Sequence, residues 1–126
     1  MNRKIIKTDR APTAIGPYSQ ANAAGGFLFT AGQIPLDPAT MEIVGETAAE
    51  QALLALTNAK AVVEAGGLTL DNVVKVTVFI RDMGQFAAIN EVYQTFFTSE
   101  PPARSVVEVS GLPKDVLVEV EMIAYG

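Results

Sequence analysis

Val73-Val74-Lys75-Val76-Thr77-Val78-Phe79-Ile80 is a run dominated by β-branched residues, and it reads as a central strand. What flanks it sets the fold class. Upstream, Thr47 stands three residues before Glu50, the spacing of a capping box, in which a hydroxyl and a carboxylate each satisfy a free backbone N–H. From there Ala49, Ala52, Leu53, Leu56, Ala59 and Val63 recur at helical spacing as a buried stripe, and Gly66-Gly67 closes the helix by admitting a left-handed residue. Downstream, Asp82 and Gln85 repeat the capping logic for a second helix that runs to about Phe97. Its apolar face is Phe86, Ile89, Tyr93, Phe96 and Phe97.

The remaining segments supply strands. Ala11 to Pro17, with two prolines and a glycine, is an irregular entry loop, preceded by a polar N-terminus in which Ile5 and Ile6 are the apolar residues after Met1. Ser19 to Ala24 reads as a short strand, Gly25-Gly26 as a hairpin turn, and Phe27 to Ala31 as a largely buried returning strand. Pro101-Pro102 breaks the chain before a strand over Arg104 to Val109, and a turn at Gly111 to Asp115 leads to a last strand over Val116 to Tyr125. The order ββ, α, β, α, ββ predicts a single α+β domain over 1–126, its mixed sheet covered on one face by two helices.

Composition excludes several classes of chemistry. With 126 residues, 49% hydrophobic and 18% charged, the chain has the makings of one core, and some apolar surface is expected to serve a subunit contact. A formal charge of −5, with basic residues scattered outside Arg3, Lys4 and Lys7, opposes a phosphate-binding surface. There is no Cys and no His, hence no thiol nucleophile, no thiolate metal site and no Ser-His-Asp triad. Catalysis falls to Asp, Glu, Lys, Tyr, Arg, backbone groups and water. No signal-peptide core or membrane span is legible, so the expected compartment is the cytoplasm. Phosphate-loop and dinucleotide glycine fingerprints are missing, as is any carboxylate cluster at metal-ligand spacing; no cofactor and no metal are expected.

Several residues stand out as candidate site groups. Arg104 follows the stiff Pro101-Pro102-Ala103 segment, and strand alternation puts it on one face with Val106 and Glu108. It is either a solvated strand-end arginine or a guanidinium fork for a carboxylate. Glu119 and Glu121 share a face with Leu117 and Ile123, opposite Val118, Val120 and Met122. They are either carboxylates shown to water or, for one of them, a group beside a pocket that positions water or relays a proton. Asn90 lies within the second helix's apolar stripe, where its amide must find partners. Tyr18 sits in a Pro/Gly loop, and Gly32 either bends a strand end or lets a ligand approach the main chain.

Taken together, Ala14-Ile15-Gly16-Pro17-Tyr18-Ser19-Gln20, Thr30-Ala31-Gly32-Gln33-Ile34-Pro35, Asn90-Glu91-Val92-Tyr93, Pro102-Ala103-Arg104-Ser105, Leu112-Pro113-Lys114-Asp115 and Val118-Glu119-Val120-Glu121 resemble, in wording and order, the RidA (YjgF) family of small enamine/imine deaminases. The resemblance spans nearly the whole chain. It implies a chorismate-mutase-like fold, a homotrimer with sites in inter-subunit clefts, and hydrolysis of 2-aminoacrylate and 2-iminobutanoate to 2-keto acids and ammonia. On that likeness Arg104 anchors the substrate carboxylate and Glu119 holds or activates water. Tyr18, Asn90 and the Gly32 backbone shape the pocket, with Ala31 and Val106 beside them. Val106 stands where many members have Cys and Ala31 where Ser is frequent, so thiol chemistry is excluded and water attack is favoured. The alternative is a module of the same fold that binds 2-keto acids without turnover. Ribonuclease activity fits poorly, since the charge and the lack of His make an RNA-cleaving acid–base pair hard to build.

Overall fold

Alternating apolar residues on six short strands build one mixed sheet, whose buried side is closed by two helices. The computed structural model describes residues 2–126. The strands are β1 (Lys4–Ile6), β2 (Ala21–Ala24), β3 (Phe27–Thr30), β4 (Val73–Ile80), β5 (Ala103–Glu108) and β6 (Val118–Tyr125); the helices are α1 (Ala48–Ala65) and α2 (Phe86–Phe96). Their order across the sheet is β1-β2-β3-β6-β4-β5. All neighbours are antiparallel except β4 and β5, which are joined through α2 and run parallel.

The capping box at α1 is fully formed. Glu50 N–H donates to Thr47 Oγ1 at 3.1 Å, and Thr47 N–H donates to Glu50 Oε1 at 3.0 Å. The Thr47 N–H, then the Glu46 N–H and the Thr47 hydroxyl, all donating to Glu50 Oε1, hold the Glu50 carboxyl below the usual carboxylate range. At the other end Gly67 takes φ +85°, and Leu68 N–H closes back on the Val63 carbonyl. Gly25 and Gly26 both adopt positive φ, as a two-residue hairpin turn requires.

The core lies between α1 and the strands. Leu56, Ala59, Val62 and Val63 of α1 meet Val76, Val78 and Ile80 of β4 and Val118, Val120 and Met122 of β6, all buried. Each Val, Leu, Ile or Met in this set contributes about 2 kcal/mol relative to exposure. α2 packs beside α1 and buries Ile89 and Tyr93.

The structure corrects several expectations. The N-terminal segment forms β1, because Ile6 pairs with Ala21 and is buried. Leu53 is 52% exposed, since the buried stripe of α1 runs through Ala48, Ala52, Ala55, Ala59 and Val63 and leaves it on the flank. β3 is not largely buried. Leu28 and Thr30 face the helices, whereas Phe27 and Phe29 face the uncovered side of the sheet and remain exposed. Asp82 caps a short 3-10 turn, Met83–Gln85, by accepting from Gly84 N–H, and α2 starts after it without a side-chain cap. The last strand starts at Val118, two residues later than expected, leaving Val116 buried ahead of it.

Candidate active site

The alternation of β6 sends Val118, Val120 and Met122 into the core and leaves Glu119 and Glu121 on the face without helices. Glu119 is registered against Phe79 of β4 and Glu121 against Thr77. On its other side Glu119 meets the loop that follows β3. Gln33 and Val120 exchange backbone hydrogen bonds of 2.7 and 2.9 Å, which bring Gly32 under the Glu119 carboxylate. A Cβ built on Gly32 would overlap Glu119 Oε2 and stand 2.8 Å from its Cδ. A side chain at position 32 would therefore have to displace the Glu119 carboxylate. The close approach foreseen at this residue is made by a side chain of the same chain.

Glu119 opens onto a cleft of about 470 Å³ lined by Tyr18, Ala31, Gly32, Ile34, Met41 and Lys114 among others. Burial, and then the nearby charge of Glu121, raise its carboxyl above the usual range. The cleft walls are loops pinned by buried amides. Gln20 accepts from Thr8 N–H at 2.7 Å and donates to the Pro12 carbonyl at 2.8 Å, fixing the entry loop. Asn58 of α1 donates to the carbonyls of Ile34 and Leu36, each at 3.0 Å, fixing the opposite wall. Met41 and Lys114 reach the cleft from left-handed backbone at φ 62° and 55°, conformations that cost a non-glycine residue about 1 kcal/mol each. Sequence reasoning did not single out Gln20, Asn58, Met41 or Lys114 as site residues. The amides carried a signal, being polar residues amid apolar neighbours, but their partners are distant in sequence.

Arg104 is elsewhere. It pairs with Val76, whose side chain is buried on the helix side, and its guanidinium reaches back onto α2. Nη1 donates to Asn90 Oδ1 at 2.6 Å, and the guanidinium carbon lies 4.7 Å from the Tyr93 ring centroid and 5.4 Å from that of Phe86. Asn90 Oδ1 thus finds its partner in an arginine side chain. Burial pushes the Tyr93 phenol up, against the opposing field of Arg104. Val106 lies on the same face, half-buried against the core.

The contrast with two other arginines is instructive. Arg10 is paired to Glu64 at 2.7 Å and Arg81 to Asp115 at 2.9 Å, whereas Arg104 has no carboxylate partner among the described residues. Its charge is balanced by π faces and one amide oxygen, leaving most of its donors available to an anion. Among the described residues no three of His, Cys, Asp and Glu are grouped so as to hold a metal ion.

The six expected pocket residues and Glu119 therefore fall into two separate groups. Tyr18, Ala31, Gly32 and Glu119 meet at one cleft, while Asn90, Arg104 and Val106 gather at α2 and β5. Arg104 and Glu119 point from opposite faces of the sheet, two strands apart, so a single chain cannot bring them together.

A six-stranded mixed sheet with two helices on one face defines a small α+β protein of the L-PSP type. Residues 8–126 match the family described as Endoribonuclease L-PSP. A RutC family protein of Pyrococcus horikoshii is 55% identical over 123 residues, covering 98% of each chain. The 2-iminobutanoate/2-iminopropanoate deaminase of Escherichia coli K12 is 50% identical over 124 residues, covering 96% of each. The crystal structure of E. coli TdcF with bound serine superposes with a TM-score of 0.93 at 51% identity, covering 98% of each chain. The chain belongs to the YjgF/RidA family.

Proposed function

We propose that the protein hydrolyses 2-imino acids and their enamine tautomers, 2-iminobutanoate and 2-aminoacrylate among them, to 2-keto acids and ammonia without a cofactor. The observation that carries this reading is Arg104, a guanidinium held in a fixed orientation with no carboxylate of its own. Such a fork suits the carboxylate common to all these substrates. The similarity to a named deaminase and to a structure with a bound amino acid points the same way. The family description as an endoribonuclease finds no support in a chain of net charge −5 without His.

The two half-sites are completed in a homotrimer, each site taking Arg104, Asn90 and the Val106 backbone from one subunit and Glu119, Gly32 and Tyr18 from the next. The exposed Phe27, Phe29 and Tyr125 on the uncovered sheet face give such an assembly apolar surface to bury. In the assembled site Arg104 fixes the acid end. Water, held by Glu119, adds its oxygen to the imine carbon while the C=N electron pair moves to nitrogen. Glu119 takes the water proton and returns it to that nitrogen. Glu119 then passes the carbinolamine's hydroxyl proton to the amino nitrogen as the C–N bond breaks with its electron pair going to nitrogen, giving ammonia and the keto acid. Imines are electrophilic already, so orientation and proton handling suffice. With Val106 in place of a thiol, no covalent adduct enters the scheme.

Arg104→Lys tests the reading, because an ammonium keeps the charge but loses the fork. Coupled to a dehydratase that generates 2-iminobutanoate, the variant is expected to lose about 100-fold in kcat/KM with its melting temperature preserved, a loss of about 3 kcal/mol in transition-state stabilisation. Wild-type rates from this variant would sink the carboxylate-anchor role. If the wild-type protein binds 2-oxobutanoate but leaves the imine's lifetime unchanged, the chain is a binding module instead.

A further inference from the structure

The guanidinium of Arg104 is gripped by three residues spaced along one face of α2, and two of them are aromatic. Phe86, Asn90 and Tyr93 stand at i, i+4 and i+7, so their side chains stack on the same side of the helix. Asn90 Oδ1 takes one Nη1 hydrogen at 2.6 Å, while the rings of Phe86 and Tyr93 lie 5.4 and 4.7 Å from the guanidinium carbon. Within about 6 Å of a ring face a cation is attracted by the ring quadrupole, without the ring offering it a hydrogen-bond acceptor. A carboxylate in the same place would hold the arginine as firmly, but would occupy donors that a ligand needs. Arg10 and Arg81, each tied to an acid, show that alternative within this chain. The Tyr93 hydroxyl is buried and has no hydrogen-bond partner among the described residues, so the ring and not the oxygen makes the contact.

We infer that Phe86 and Tyr93 are positioning residues that form an aromatic cradle, holding the Arg104 fork in place while leaving it free to bind the substrate carboxylate. This inference rests on the carboxylate-anchor reading of Arg104 and assigns a role in it to two α2 side chains. The cradle acts on affinity for the acid end, and so on KM more than on kcat, because neither ring touches the reacting carbon.

The test replaces Phe86 with phenylalanines carrying one, two and three ring fluorines, which drain the ring face of electron density while nearly keeping its shape. In the assembled protein, calorimetry with 2-oxobutanoate and steady-state kinetics with 2-iminobutanoate are read alongside melting temperature. Kd and KM are expected to rise stepwise with fluorine number, reaching about tenfold for the trifluoro ring, with the melting temperature unchanged. Tyr93→Leu should weaken binding by a similar factor, and Tyr93→Phe should restore it. Arg104→Lys is the control for the underlying reading. If Arg104→Lys weakens binding but the fluorine series is flat, the cradle is overturned and the anchor stands. If Arg104→Lys binds 2-oxobutanoate like wild type, both fall.

Discussion

Glu119 illustrates how one side chain ties stability to chemistry. Its carboxyl is raised first by burial and then by Glu121, so the folded state holds this proton more tightly than the unfolded chain does. Such a group favours folding most below its unfolded pKa, and that contribution is lost as pH rises through the higher folded value. Glu119→Gln is therefore expected to raise the melting temperature at pH 8, with the gain shrinking toward pH 4. The same variant should lose imine hydrolysis, since an amide cannot take the water proton. The raised value also predicts that kcat/KM of the native protein declines on the acid side at a higher pH than an ordinary glutamate would give. Glu121→Gln removes the second cause and should shift that decline to lower pH, a displacement that a pH–rate profile reads directly. An unmoved profile would remove Glu119 from the proton-transfer role. The family resemblance pointed to Glu119, which spacing alone could not separate from Glu121. Strand alternation gave both the same face, and what separates them is the loop at Gly32, which leaves space for the Glu119 carboxylate.

Among the elements, α1 was the most legible because its stop and start are written in local chemistry. Thr47 and Glu50 satisfy each other's backbone N–H groups, and Thr47→Ala is expected to cost about 1 kcal/mol, lowering the melting temperature by roughly 4 °C in calorimetry. An unchanged transition would mean that packing of the α1 stripe alone holds the first turn. β4 was equally readable, since a run with six β-branched residues in eight positions matches a strand flanked on both sides. Elements whose stability comes from distant partners were harder. β1 is three residues long and exists because Ile6 finds Ala21, a pairing no local pattern announces. Leu53, Phe27 and Phe29 were expected inside on hydrophobicity and lie outside because no element of the same chain covers them. The site was legible in a similarly divided way. The candidate residues stand out in short stretches of sequence, but their separation into two groups depends on which face of the sheet each strand residue takes.

At the scale of the whole molecule, that separation is the strongest constraint. Arg104 reaches back to α2 on the covered side of the sheet, and Glu119 faces the uncovered side, two strands away. If one reaction needs both, they come from different chains, and closed cyclic symmetry repeats the junction around the ring. Two inactive variants should then rescue each other. Arg104→Lys retains a working Glu119, and Glu119→Gln retains a working Arg104. In a trimer containing both kinds of subunit, one of the three junctions joins the two intact residues. Random assembly of equal amounts places both kinds in three trimers of every four, so co-refolded protein should recover roughly a quarter of wild-type kcat per site. Each variant refolded alone should remain inactive, and simple mixing without exchange of subunits should recover nothing. Failure of the co-refolded mixture to regain turnover, with mixed trimers confirmed by mass spectrometry, would mean that Arg104 and Glu119 do not serve one shared site.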